Sequence, residues 1–101
     1  MKVLIFQAGN FSDRFLMNSV FELAELGYKC HRIDIPDDAV DDGCDEALLE
    51  SIFDELNLNR AKYPIDYSLS TNDVIGLIRN NKYELFQVLP VGFRKFAEVG
   101  F

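Results

Sequence analysis

IFQAGNFSDRF, residues 5–15, holds the densest set of side chains suited to gripping a small ligand. Gln7, Asn10, Ser12 and Arg14 surround Gly9 where a strand-like run gives way to a helix-like one. Backbone amides at such a junction attract anions. One glycine, however, makes neither the G-x-G-x-x-G of a dinucleotide turn nor the GK[ST] of a phosphate loop. Only Arg14 offers nearby positive charge, against Asp34, Asp37 and Asp38 on the next loop. Gln7, Gly9, Asn10, Ser12 and Arg14 are the ligand-binding candidates, and a plain strand-to-helix turn accounts for the same residues.

Other chemistry is bounded by residue counts. His31 is the only histidine, so a His-based triad or a multi-His metal centre cannot be built, and the residue reads as structural. Ser12 has no histidine near it in sequence and reads as a helix cap. Cys30 and Cys44 stand 14 residues apart without metal-ligand spacing, which suits two free thiols in a reducing cytoplasm. The aspartates at 37, 38, 41 and 42 lack the spacing, glycine and closing glutamate of an EF-hand loop. No metal and no cofactor is expected.

Charge is the stronger signal. The 101 residues carry a net charge of −7, yet residues 34–55 hold ten acids and no lysine or arginine. The rest of the chain has seven acids against ten bases. Asp37, Asp38, Asp41, Asp42, Asp45, Glu46 and Glu50 are accordingly the candidates for a surface that docks on a basic protein partner. The same acids on a solvated face would simply keep the protein soluble. Their field disfavours nucleic acid and anionic membrane as partners. The apolar runs Val3–Phe6 and Leu85–Leu89 are too short to cross a bilayer, and no cleavage site follows the first, so a cytoplasmic protein is expected.

The elements that must position these residues alternate. Lys2 to Gln7 reads as a buried strand, and Leu16, Met17, Val20, Phe21, Leu23 and Ala24 recur at helical spacing, closed by Gly27. Tyr28 to Ile35 is a polar edge strand ended by Pro36. Asp42 is the expected cap of a second helix with its apolar stripe at Ala47, Leu48, Leu49, Ile52, Phe53 and Leu56. Residues 57–69 read as a short strand or an ordered loop around Pro64. Val74, Ile75, Leu77 and Ile78 suggest a third helix ended by Asn80 and Asn81. Tyr83 to Leu89 is a buried strand, and FRKFAEVGF a short closing helix. Phe93, Phe96 and Phe101, where left exposed, would mark a homodimer interface.

This order predicts one α/β domain over residues 1–101, a small three-layer Rossmann-like or flavodoxin-like fold. Its sheet would be mostly parallel, with three or four strands in an order beginning 2-1-3, the run at 83–89 being the third. The opening MKVLIFQAGNFSDRFLMNSVFELAELGYKC resembles the start of many Rossmann-like proteins, including the amino-terminal halves of glycosyltransferases. NNKYELFQVLP resembles the third strand of receiver domains, although Leu89 and Pro90 stand where that family carries its phosphoacceptor aspartate. Gln7 likewise occupies the region of that family's acidic pair, so the resemblance implies fold and not phosphotransfer. In such a sheet the loops Gln7–Arg14, Asp34–Asp38 and Pro90–Arg94 would converge beyond the strands' carboxyl ends. Two functions follow: a non-catalytic binding or regulatory protein that uses segment 34–55, or a small-ligand- or nucleotide-binding, even enzymatic, domain with its site in those loops.

Overall fold

The computed structural model describes residues 1–8 and 16–100. Five strands form one sheet: Lys2–Gln7 (β1), Lys29–Asp34 (β2), Val74–Arg79 (β3), Lys82–Val88 (β4) and Phe93–Gly100 (β5). Their order is β2-β1-β3-β4-β5, and every neighbouring pair is antiparallel. Two helices, Phe21–Glu25 (α1) and Asp45–Leu58 (α2), accompany it, with single 3₁₀ turns at Asp37–Ala39 and Arg60–Lys62.

The expected parallel, three-layer α/β domain is therefore wrong, and turn chemistry explains why. Asn80 and Asn81 take φ of 55° and 58° and join Arg79 to Lys82, its register partner. Two successive residues in the left-handed region make the tight turn whose twist suits an antiparallel hairpin, not a helix end. Residues 74–79 are thus a strand beside β1. Gly92, at φ 81°, closes the next hairpin, where the Leu89 amide donates to the Gly92 carbonyl oxygen at 3.0 Å. The tail expected to be a helix is consequently β5. The run at 83–89 pairs with β3 and β5 and does not touch β1 in the sheet. A Rossmann-like or receiver-like sheet is parallel, so neither resemblance extends to the fold.

The one long connection still crosses the sheet. Since β2 and β3 are both antiparallel to β1, they run in the same direction with β1 between them. The chain passes from one to the other through α2, which covers one face. Leu48, Leu49, Ile52 and Leu56 of α2 pack there on Val3, Ile5, Ile33, Ile75, Leu77, Phe86 and Val88, with Ile65 and Leu69 from the loop. Cys44, not Asp42, caps the helix: its sulfur accepts from the Ala47 amide at 3.4 Å. Asp45 and Glu46 in the first turn complement the helix dipole.

The opposite face is covered more thinly. Met17 and Leu23 pack on Val74 and Leu85, flanked by Phe6, Val20, Tyr28, Tyr83 and Phe96. Helical spacing over 16–24 yields only the short α1. At the centre of this face Gly76 leaves only tight room for a methyl group. A Cβ there would sit 3.1 Å from the Leu4 Cβ and 3.1 Å from the Leu85 Cδ2. Among the described residues no helix is long and apolar enough to cross a membrane.

Candidate functional site

The expected convergence of three loops does not occur. An antiparallel sheet alternates its carboxyl ends, so Asp34 lies opposite Lys2, at the far end of β1 from Gln7. Of the ligand candidates, Gly9, Asn10, Ser12 and Arg14 fall outside the described residues. Gln7 is fully buried, and its amide is occupied internally. The nitrogen donates to the Tyr67 carbonyl oxygen at 2.9 Å and to the Asp73 carboxylate at 3.4 Å, while the oxygen accepts from the Asp66 amide at 3.2 Å. Gln7 ties the loop after α2 to β1, a structural role.

Polar groups continue beyond it. Asp73 accepts from the Ser70 amide at 2.9 Å, and its backbone oxygen accepts from the Val88 amide at 2.8 Å. Gln87, also fully buried, donates to Asn72 at 3.0 Å and accepts from the Met17 amide at 3.0 Å. Tyr28 donates to the Asn72 carbonyl oxygen at 2.6 Å. Burial pushes the Asp73 carboxyl up to about 6, tempered by the bonds from Ser70 and Gln7. Burial likewise pushes the Tyr67 hydroxyl up to about 12. His31 faces Asp66 at 3.5 Å on the same side of the sheet. Most of this cluster is hydrogen-bonded internally, as buried polar groups usually are, but the Tyr67 hydroxyl and His31 Nε2 have no hydrogen-bond partner among the described residues.

The acidic candidates are exposed and divide by partner. Asp37 holds the Met1 ammonium at 2.8 Å, which keeps its carboxyl below the usual range. Asp41 accepts from the Gly43 amide at 3.0 Å and takes part in the loop before α2. Asp45 pairs with Arg79 at 2.9 Å. Arg79 also binds Glu84, which binds Lys95, which binds Glu98, which binds Lys82. Three cations and three carboxylates balance in this network. Arg79 first and Lys95 second hold the Glu84 carboxyl down at about 2.

Asp38, Asp42, Glu46, Glu50 and Asp54 have no such cation: no ion pair reaches them among the described residues. Glu46, Glu50 and Asp54 recur every four residues of α2, the spacing that stacks side chains along one side of a helix, with Asp42 just ahead of the Cys44 cap. Like charges at that spacing oppose helix formation by about 0.2–0.5 kcal/mol per pair, so Glu50 and Asp54 do not support the helix.

It borders two grooves between α2 and the β4–β5 hairpin. One, of about 250 Å³, has Glu50 and Asp54 on its rim and Phe53, Val88 and Phe93 within. The other, of about 280 Å³, has Asp45 and Glu46 on its rim and Leu49, Phe86 and Phe93 within. Phe53 and Phe93 meet edge to face at 6.4 Å between the two. Val91 at the hairpin tip stands 90% exposed beside them. Asp54 lies in the expected segment 34–55, and Val91 and Phe93 lie in the expected loop Pro90–Arg94; Phe53 is expected only as part of the α2 stripe. The four-residue acidic period is readable in the sequence, but the grooves depend on a hairpin whose second strand the sequence suggests to be a helix.

No family model, characterised protein or solved structure matches the chain. Among the described residues no group of three or more His, Cys, Asp or Glu could hold a metal ion.

Proposed function

We propose that this chain is a non-catalytic binding protein that engages a basic protein partner through its acidic segment 34–55, anchored at the grooves between α2 and β5. The observation that carries this reading is the pairing of an uncompensated carboxylate stripe with the half-buried Phe53 and Phe93 and the exposed Val91. Charge alone would serve solubility. Charge beside Phe53, Phe93 and a 90% exposed Val91 supplies steering and burial together, the division of labour of a protein interface. Of the small-ligand candidates only Gln7 lies among the described residues, and its amide is spent on the fold.

Selection from a displayed random-peptide library tests the reading. The wild-type chain should enrich peptides that combine lysine or arginine with aliphatic residues. A Glu46→Gln/Glu50→Gln/Asp54→Asn variant should lose that enrichment while keeping its thermal midpoint. Enrichment unrelated to charge, or unchanged in the variant, would overturn it.

A further inference from the structure

We infer that the partner docks as an extended basic segment that adds a sixth strand to the sheet along β5; this rests on the proposed acidic docking surface and specifies its geometry. A sheet edge next to a helix, with a groove between them, is an arrangement in which an extended peptide gains main-chain hydrogen bonds from the strand and side-chain contacts from the groove. Here β5 ends the sheet order, and no described strand pairs with its outer side.

The hairpin register identifies which groups are free. Leu89 and Gly92 form a hydrogen-bonded pair, and Phe93 and Lys95 sit opposite Val88 and Phe86. In an antiparallel ladder, hydrogen-bonded and non-hydrogen-bonded pairs alternate, so Arg94 bonds inward to β4 while Phe93 and Lys95 direct their amide and carbonyl groups outward. Their side chains lie on the α2 side with Phe86 and Val88. An added strand would therefore place alternate side chains over Phe53 and Phe93 and within reach of Glu46, Glu50 and Asp54. Phe96 has no register partner on β4, and the bulge there breaks the alternation before the ladder resumes at Ala97 opposite Leu85. An added strand in register with the grooves therefore pairs along Phe93–Lys95.

The grooves single out this edge: both are lined by Phe93 of β5 and by no residue of β2. At β5 the Lys95 ammonium is shared by Glu84 and Glu98, and the Arg94 guanidinium donates to the Met17 carbonyl oxygen, on the face away from α2. An edge strand left open is an aggregation hazard, and the bulge and the charges at 95 and 98 restrain pairing with an unselected chain.

The test uses a synthetic peptide, Lys-Thr-Val-Thr repeated twice, which presents lysine and valine on one face when extended. Two N-methylated forms accompany it, one blocking every odd amide and the other every even amide, so that each disables one edge of the peptide strand. The unmodified peptide should bind with an affinity that falls as salt rises. One methylated form should bind at least about tenfold more weakly and the other nearly as well as the parent. Amide exchange at Phe93 and Lys95 should slow on binding, and that at Ala97 to Gly100 should not. Salt-dependent binding with equal affinity for both methylated forms would overturn strand addition while leaving the docking surface standing. Absence of salt-dependent binding would remove both.

Discussion

Arg79, the last residue of β3, donates to Asp45, the first residue of α2, at 2.9 Å. The same guanidinium binds Glu84 across the hairpin, so one side chain fixes the start of the acidic helix to the sheet. Arg79→Met should cost about 2–4 kcal/mol, since it strands the mostly buried Glu84 carboxylate with Lys95 alone. Asp45→Asn, which removes only the exposed partner, should cost no more than about 1 kcal/mol. Urea midpoints of the two variants measure the difference, and equal losses would contradict a role for Glu84.

Asp73 and Glu84 should act on stability in opposite directions as pH changes. Burial raises the Asp73 carboxyl from 3.8 to about 6, so its neutral form favours the fold. That contribution is complete below pH 3.8 and is lost as pH rises through about 6. Asp73→Asn should stabilise the protein by about 2–3 kcal/mol at pH 7 and scarcely change it at pH 3.5. Glu84, held at about 2 by Arg79 and Lys95, contributes above pH 4.5 and loses that contribution as pH falls through about 2. Unfolding free energies across pH 2–8 for wild type and Asp73→Asn check both signs.

Gly76→Ala tests the thin face of the sheet. The added methyl would meet Leu4 and Leu85 at 3.1 Å, and neither contact is the end of a long flexible chain. A loss of about 1–3 kcal/mol is expected, the usual cost of overpacking a filled core. Gly76→Ala paired with Leu85→Val, which removes the Cδ2 contact, should recover part of it; no recovery would place the strain elsewhere.

Relief of the acidic segment should cost the isolated chain nothing. Asp41→Asn keeps an oxygen for the Gly43 amide, and Glu50→Gln removes a carboxylate that has no cation. The double variant should match or slightly exceed the wild type in thermal midpoint at low salt, and the gap should close as salt screens the repulsion. A midpoint well below the wild type would mean that these carboxylates hold the fold together.

Much of the chain announced its own conformation, but its pairing did not. Residues 2–7 and 83–88 are strands as their apolar runs suggest, residues 29–34 lie at a sheet edge, and α2 follows its apolar stripe. VIGLIR suggests a helix yet forms a strand because Val74, Ile75, Leu77 and Ile78 fit a helical stripe as well as a strand buried on both faces, and six residues are too few for period to decide. The deciding signal lay next door, in Asn80–Asn81, a pair that tolerates left-handed backbone and joins hairpin strands. Once that turn is read as a hairpin, the parallel sheet and its convergent loops both disappear. The acidic surface was legible because charge needs no pairing to be counted; its apolar floor, assembled from α2 and the β4–β5 hairpin, was not.

The position of β1 between β2 and β3 also sets an order of events during synthesis. β1 leaves the ribosome first and can take β2 as a neighbour early, but its other neighbour begins at Val74. Until then Val3, Leu4 and Ile5 present an unpaired apolar edge that only the last quarter of the chain can close. The β3–β4–β5 meander, by contrast, pairs locally as it emerges. Ribosome-bound chains stalled before residue 74 should therefore be protease-sensitive and bind holdase chaperones, and those extended past residue 100 should not. Equal resistance at both lengths would show that the amino-terminal half holds its shape without the strand that completes it.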